Sequence, residues 1–90
     1  MKQINLIISG QVQGVWFRSS TVDAAKDIGD ITGIVRNLSS GEVEVIAEGP
    51  EDKLEKLIKF CKKGPSGAKV EDVKIEYKEA TGEFEGFSQG

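Results

Sequence analysis

The residues best suited to chemistry lie in one short segment, Gly10–Arg18. Glycine at Gly10 and Gly14 permits a tight loop, and a helix is predicted directly after it. Backbone N–H groups in such a loop, with the positive end of a helix dipole behind them, suit a phosphate-sized anion. Arg18 closes the segment with a planar fork of donors that matches phosphate oxygens. The segment is therefore a candidate phosphate-binding loop, which comprises Gln11, Val12, Gln13, Gly14, Val15, Trp16, Phe17 and Arg18.

Neither of the common nucleotide-binding motifs is present in this segment. A Walker loop requires GxxxxGK followed by Ser or Thr, and no lysine lies between Lys2 and Lys26. The spacing of Gly10 and Gly14 also differs from the dinucleotide motif GxGxxG. The shape of the loop alone leaves two interpretations open, an anion site or a glycine-rich turn whose arginine is only solvated.

The composition excludes several mechanisms. The 90 residues contain no histidine and one cysteine, Cys61. A Ser-His or Cys-His dyad, a histidine-ligated metal and an intrachain disulfide are therefore excluded, and the single cysteine favours the cytoplasm. Twelve basic and fifteen acidic residues give a net charge of −3, which disfavours nucleic acid as a partner. No apolar run exceeds three residues, so no membrane-spanning segment is expected.

Hydrophobic periodicity predicts the elements that position the loop. Alternating apolar residues predict strands at Met1–Ser9, Ile34–Leu38, Glu42–Ile46, Val73–Tyr77 and, more weakly, Phe84–Phe87. Amphipathic spacing predicts two helices, Ser19–Ile28 with Ser19 or Ser20 as its cap, and a second between Gly49-Pro50-Glu51-Asp52 and Gly64-Pro65. The order β-α-β-β-α-β with a short extra strand is typical of the α+β class, as a ferredoxin-like α/β sandwich. We expect one domain over residues 1–90, with two helices on one face of an antiparallel sheet.

Two segments together resemble the two signatures of the acylphosphatase family. The first is Gly-x-Val-Gln-Gly-Val-x-Phe-Arg at Gly10–Arg18, and the second is Gly-x-Val-x-Asn at Gly33–Asn37. Further agreement covers nearly the whole chain and includes Ala47-Glu48-Gly49, Gly64-Pro65 with Ala68 and Val70, and Gly82-Glu83-Phe84. The chain departs from the family pattern at Trp16, Ser19, Ser20 and Ser40, and by one residue near Asp30.

The resemblance implies a hydrolase that cleaves the carboxyl-phosphate bond of acyl phosphates and uses no metal or other cofactor. It implies that Arg18 and the loop amides hold the phosphoryl group, and that Asn37 positions the attacking water. The expected partners are a small acyl phosphate and its product, inorganic phosphate, with no nucleic acid and no membrane. The expected state is a cytoplasmic monomer.

Two other classes of function fit parts of the sequence. One is a non-catalytic phosphate- or carbamoyl-phosphate-binding module, similar to the acylphosphatase-like domain of hydrogenase-maturation carbamoyltransferases. Phosphate binding without turnover would favour it. The other is a ferredoxin-like interaction or RNA-binding module. The net charge and the lack of an aromatic, basic central strand disfavour that second alternative.

Three further groups of residues are interpreted as structural. Arg36 alternates to the sheet face opposite its neighbour in the second signature, where a surface charge is expected. Glu42, Glu44 and Glu48 share the outer face of a strand and are expected to be solvated, because no oxygen cluster typical of a metal site accompanies them. Cys61 lies on the apolar stripe of the second helix, which predicts a core residue rather than a nucleophile.

Overall fold

Five strands and two helices form an α/β sandwich in the computed structural model, which describes residues 1–90. The elements are β1 (Lys2–Gln11), α1 (Phe17–Ile28), β2 (Thr32–Asn37), β3 (Val43–Gly49), α2 (Glu51–Lys63), β4 (Lys69–Glu79) and β5 (Phe87–Gln89). The strands lie in the order β4-β1-β3-β2-β5, and both helices pack on the same face of the sheet. The predicted ferredoxin-like fold is confirmed. Neither helix has the length and apolar character needed to cross a membrane.

The sheet is mixed rather than fully antiparallel. The pairs β1–β3, β1–β4 and β2–β3 are antiparallel, but β5 runs parallel to β2, with Gly33 opposite Phe87 and Val35 opposite Gln89. The prediction of an antiparallel sheet is therefore wrong for its last strand, which spans Phe87–Gln89 instead of starting at Phe84. The cause is the route of residues 80–86, which cross the end of the sheet from one edge strand to the other. Strand β5 consequently starts at the same end of the sheet as β2.

The hydrophobic core lies between the sheet and the helices. Alternate residues of the two central strands face it and are fully buried, namely Ile4, Leu6, Ile8, Val43, Val45 and Ala47. The predicted apolar stripe of α2 is also buried and consists of Leu54, Leu57, Ile58 and Cys61. Burial raises the pKa of the Cys61 thiol to about 12, although the hydroxyl of Thr21 opposes the shift. Cys61 is therefore a core residue, as predicted.

Helix α1 begins two residues earlier than predicted, at Phe17, because the Phe17 side chain is buried in the core. This side chain is 1% exposed, and its ring packs against that of Phe60 with centroids 6.3 Å apart. Trp16 takes the N-cap position in the left-handed conformation, and no side chain caps the helix. The predicted cap at Ser19 or Ser20 is wrong, since both serines lie inside the first turn. The N–H groups at the start of α1 therefore remain available to a ligand.

Glu48 departs from the predicted pattern of solvated glutamates on β3. It lies on the sheet face away from the helices, yet it is 3% exposed because residues 80–83 cover it. Its carboxylate accepts hydrogen bonds from Gln3 Nε2 at 2.7 Å and from the N–H groups of Thr81 and Gly82 at 2.7 and 2.9 Å. A fourth comes from the Thr81 hydroxyl at 3.0 Å. Glu48 thus anchors the segment that leads the chain to β5.

The other two glutamates of that strand face are also held by neighbours. Glu44 forms an ion pair with Arg36 at 2.6 Å, and Glu42 accepts a hydrogen bond from the Ser40 hydroxyl at 2.9 Å. Both glutamates are half-buried rather than fully solvated, whereas Arg36 is exposed as predicted. Cross-strand pairing explains the difference, because β2 places Arg36 directly opposite Glu44.

We predict that Glu48→Gln lowers the free energy of unfolding by an amount that shrinks as the pH falls. Burial disfavours the charged carboxylate, but the four hydrogen bonds outweigh it and lower the pKa of Glu48 from 4.5 to about 2. A carboxyl whose pKa is lower in the folded state stabilises the fold above its unfolded pKa, and this contribution is lost as pH falls from 4.5 towards 2. The lowered pKa of Glu48 contributes on the order of 3 kcal/mol to the free energy of unfolding at neutral pH. Roughly half of this contribution is lost by about pH 3.

Urea unfolding followed by circular dichroism at neutral pH and at about pH 3 measures this difference. Glu55→Gln is the matched control, because Glu55 is exposed on α2. It should change stability by less than about 0.5 kcal/mol at either pH. A difference between wild type and Glu48→Gln that stays constant over this range would contradict the assigned pKa.

Candidate active site

One cavity of about 220 Å³ opens where β1 and β2 end beside the start of α1. Both strands run antiparallel to β3, which lies between them, so their carboxyl ends lie at the same end of the sheet. Arg18 enters the cavity from α1, and Asn37 enters it as the last residue of β2. The full lining consists of Val12, Gly14, Trp16, Phe17, Arg18, Ser19, Asn37 and Gln89.

Two glycines shape the loop that borders the cavity. Gly10 has a φ of 124° at a bulge in the β1–β4 pairing, where a Cβ would overlap the carbonyl oxygen of Lys69. Gly14 has a φ of 74°, and the space where a Cβ would lie is open. Gly10 is therefore required by a close approach of two backbones, whereas Gly14 is required by its left-handed conformation.

The loop presents a row of unpaired backbone donors beside the cavity. None of the N–H groups of Val12–Trp16 donates a hydrogen bond to the protein backbone, and the first N–H groups of α1 have no acceptor inside the helix. The first turn of α1 contains no acidic residue, whereas that of α2 contains Glu51 and Asp52. The positive end of the α1 dipole is therefore not neutralised by its own helix. Donors of this kind suit the oxygens of a phosphoryl group.

Arg18 adds a fixed positive charge to this row of donors. Its side chain is partly exposed, and its Nη1 donates to the backbone oxygen of Gly90 at 3.0 Å. Gly90 is held there because its own N–H donates to the carbonyl oxygen of Val35 on β2 at 2.8 Å. A guanidinium has five N–H donors, so this contact orients Arg18 and leaves other donors for an anion.

The cavity brings together part of the predicted set and adds residues that were not predicted. The predicted residues that line it are Val12, Gly14, Trp16, Phe17, Arg18 and Asn37. The predicted loop residues outside the lining are Gln11, Gln13 and Val15. Ser19, Gln89 and, through Arg18, Gly90 are additional. Gln89 and Gly90 come near the loop only through the parallel pairing of β5 with β2, and no local motif indicates that pairing.

The family of the chain follows from comparison with known proteins. The acylphosphatase family model matches residues 4–89. The chain belongs to the acylphosphatase family. It is 46% identical over 83 residues to the acylphosphatase of Pelotomaculum thermopropionicum, an alignment that covers 92% of this chain and 89% of that relative. The chain is thus a hydrolase of the acylphosphatase class.

Solved structures agree with this assignment. The crystal structure of acylphosphatase from Bacillus subtilis superimposes with a TM-score of 0.94 at 33% identity, covering 100% of this chain and 99% of that one. Full-length HypF, in a phosphate- and nucleotide-bound form, superimposes with a TM-score of 0.85 at 32% identity. The match with HypF covers 100% of this chain but only 12% of HypF.

Gln13 connects the loop of this acylphosphatase to the turn that follows Asn37. Its Nε2 donates to the carbonyl oxygens of Leu38 at 2.8 Å and Glu42 at 2.9 Å. Leu38 follows Asn37 directly, and its N–H donates to the same Glu42 carbonyl at 2.8 Å. Gln13 therefore links the loop that carries the donors to the strand end that carries Asn37.

We predict that Gln13→Ala lowers both stability and turnover. The free energy of unfolding should fall by about 1–2 kcal/mol, because two partly buried carbonyl groups lose a donor. The kcat for an acyl phosphate should fall by about tenfold, since small displacements of reacting groups are costly. Urea unfolding and steady-state kinetics measure the two effects. Gln11→Ala is the control, because Gln11 is exposed at the end of β1. Equal effects of the two variants would contradict the bridging role.

Proposed function

We propose that this acylphosphatase hydrolyses small acyl phosphates to a carboxylate and inorganic phosphate, without a metal ion. The observation that carries the proposal is the shared cavity, which is lined by Arg18, by Asn37 and by three loop residues with unpaired N–H groups, Val12, Gly14 and Trp16. Its volume of about 220 Å³ is below the ~300–1,000 Å³ of sites that enclose drug-sized ligands. A phosphoryl group with a small acyl group fits such a site, and a nucleotide would not be enclosed.

The loop and Arg18 bind the phosphoryl group in this proposal. Phosphoryl transfer through a loose transition state depends mainly on positioning and on stabilisation of charge at the equatorial oxygens. The N–H groups of Val12–Trp16 and the start of α1 donate to those oxygens, and the guanidinium of Arg18 supplies positive charge. These donors are held in place by the fold before the substrate binds, which is the condition for electrostatic catalysis.

Asn37 positions the nucleophile in this proposal. Its carboxamide oxygen accepts a hydrogen bond from a water molecule, which directs a lone pair of that water towards phosphorus. A bond forms between the water oxygen and phosphorus while the bond from phosphorus to the acyl oxygen breaks. The leaving group is a carboxylate, whose conjugate acid has a pKa near 4, so it departs without a general acid. The proton of the water passes to a phosphoryl oxygen of the substrate, which replaces a protein base.

The chemistry of the lining supports the metal-independent form of the reaction. The side chains around the cavity include no carboxylate and no cysteine, and the chain contains no histidine. Divalent cations such as Mg²⁺ bind through carboxylate oxygens, so the lining offers them no suitable ligand set. Arg18 and the α1 dipole take the place of a metal as the source of positive charge.

Hydrolysis of benzoyl phosphate, followed by ultraviolet absorbance with and without a chelator, tests the proposal. We expect the same turnover in both conditions. Activity that is lost with the chelator and restored by Mg²⁺ would contradict the metal-independent mechanism. Absence of turnover at all would contradict the proposed reaction.

A second candidate function is supported by the similarity to HypF. It is a phosphate- or carbamoyl-phosphate-binding module that uses the same loop and Arg18 but does not turn over its ligand. Isothermal titration with inorganic phosphate, made alongside the kinetic assay, separates the two candidates. Phosphate binding without hydrolysis of benzoyl phosphate would favour the binding module.

A further inference from the structure

The indole of Trp16 is the accessible apolar surface of the cavity. Its residue is 81% exposed and lines the cavity together with Arg18 and Asn37. The other large apolar residues of the lining, Val12 and Phe17, are each 1% exposed and belong to the core. A bound molecule can therefore make extensive apolar contact only with Trp16.

The backbone holds Trp16 in a conformation that is uncommon for a bulky residue. Its φ and ψ are 64° and 21°, in the left-handed region that glycine adopts most easily. Its carbonyl oxygen accepts hydrogen bonds from the Ser20 N–H at 3.0 Å and the Ser19 hydroxyl at 3.2 Å. The next residue, Phe17, is fixed in the core. The backbone thus fixes the Cα–Cβ bond of Trp16 at the rim of the cavity, while the ring itself stays exposed.

We propose that Trp16 forms an acyl-group subsite, whose indole covers the acyl part of the substrate and favours planar aromatic acyl groups. This inference rests on the proposed function and extends it to the class of substrate. The donors of the loop and Arg18 recognise the phosphoryl end, so the apolar end must lie towards the rim of the cavity. Aromatic rings attract one another in offset-stacked and edge-to-face arrangements. An aroyl phosphate therefore gains a contact that acetyl phosphate, with a single methyl group, does not make.

The subsite acts on binding more than on the chemical step. The acyl group contacts the indole in the bound substrate and in the transition state alike. Such uniform binding lowers KM and leaves kcat little affected. The expected preference for an aromatic acyl group is about tenfold, as follows from the usual strength of an aromatic pair.

The test compares kcat/KM for benzoyl phosphate and acetyl phosphate in wild type, Trp16→Ala, Trp16→Phe and Tyr77→Ala. Tyr77 is the matched control, because it is 50% exposed on β4, outside the cavity. We expect the ratio of benzoyl to acetyl kcat/KM to fall about tenfold in Trp16→Ala, through KM, and to be largely retained in Trp16→Phe and Tyr77→Ala. Because the ratio cancels general damage to the loop, an unchanged ratio in Trp16→Ala would overturn the subsite.

A binding measurement keeps the subsite testable apart from turnover. Trp16 is the one tryptophan of the chain, so intrinsic fluorescence reports on it directly. We expect benzoylphosphonate, which is not hydrolysed at its P–C bond, to change the emission and bind about tenfold more tightly than acetylphosphonate. Equal affinities would overturn the subsite. The wild type could bind benzoylphosphonate more tightly and yet hydrolyse neither acyl phosphate. That result would contradict the proposed function while supporting the subsite.

Discussion

Arg18→Ala should lower kcat/KM for benzoyl phosphate by at least about 10²–10³-fold, with the fold intact. Removal of one preorganised donor from an oxyanion site commonly costs this much, and Arg18 contributes charge as well. Product inhibition by inorganic phosphate should weaken in the same variant, because the ground state also loses the guanidinium. Steady-state kinetics with benzoyl phosphate and an inhibition series with phosphate measure both effects.

Arg36→Ala is the matched control for this prediction. The chain has two arginines, and Arg36 lies on the opposite sheet face, where it pairs with Glu44 at 2.6 Å. Its loss should change kcat/KM by less than about twofold, because neither residue of the ion pair lines the cavity. Arg18→Lys should recover part of the activity, since lysine keeps the charge but lacks the planar fork of donors. Activity of Arg18→Ala close to that of the wild type would refute the assigned role.

Asn37→Ala should lower kcat by about 10²–10³-fold while the inhibition constant for phosphate stays close to that of the wild type. The proposed contact of Asn37 is with the attacking water, and the phosphoryl group is bound by other residues. A loss confined to kcat is the pattern expected when an interaction acts only in the transition state. The contrast with Arg18→Ala, which should weaken phosphate binding as well, distinguishes positioning of water from binding of anion.

Asn5→Ala provides the comparison for this second variant. Asn5 is half-buried on β1, on the sheet face away from the cavity, and is paired with Glu76 across the strands. It should retain kcat within about twofold. Asn37→Asp keeps an acceptor for the water but adds a negative charge near the phosphoryl oxygens, so it should remain slow. Full activity in Asn37→Ala would contradict the proposed mechanism even if Arg18 proved essential.

The strands and helices of this protein were largely predictable because their patterns are local. The alternation in β1 and the apolar stripe of α2 correspond to residues that are buried in the structure, such as Leu6 and Leu57. The start of α1 was not predictable in the same way. Serine is a common cap, but burial of Phe17 outweighs the capping preference and moves the start of the helix to that residue.

Errors were concentrated where the chain makes long-range contacts. Glu48 alternates to the outer face of its strand, as expected, but a segment more than thirty residues later in the chain covers it. The same segment leads to β5, which pairs in parallel with β2. No local pattern in the sequence indicates this pairing. A charged residue in an alternating strand is ordinarily solvated, and the tertiary route of residues 80–86 reverses that expectation here.

The amino-acid sequence alone determined the chemical inventory, which consists of a glycine-bounded loop, an arginine at its end, an asparagine on a later strand and no histidine. These features depend on residue types and short spacings, and they can be read without knowledge of the fold. Tertiary structure decided that Arg18 and Asn37 share one cavity, that Gly90 orients the guanidinium, and that Gln13 joins the loop to the hairpin. The physical reason is that each of these contacts joins residues distant in the chain, and sheet pairing brings them together only when the core forms.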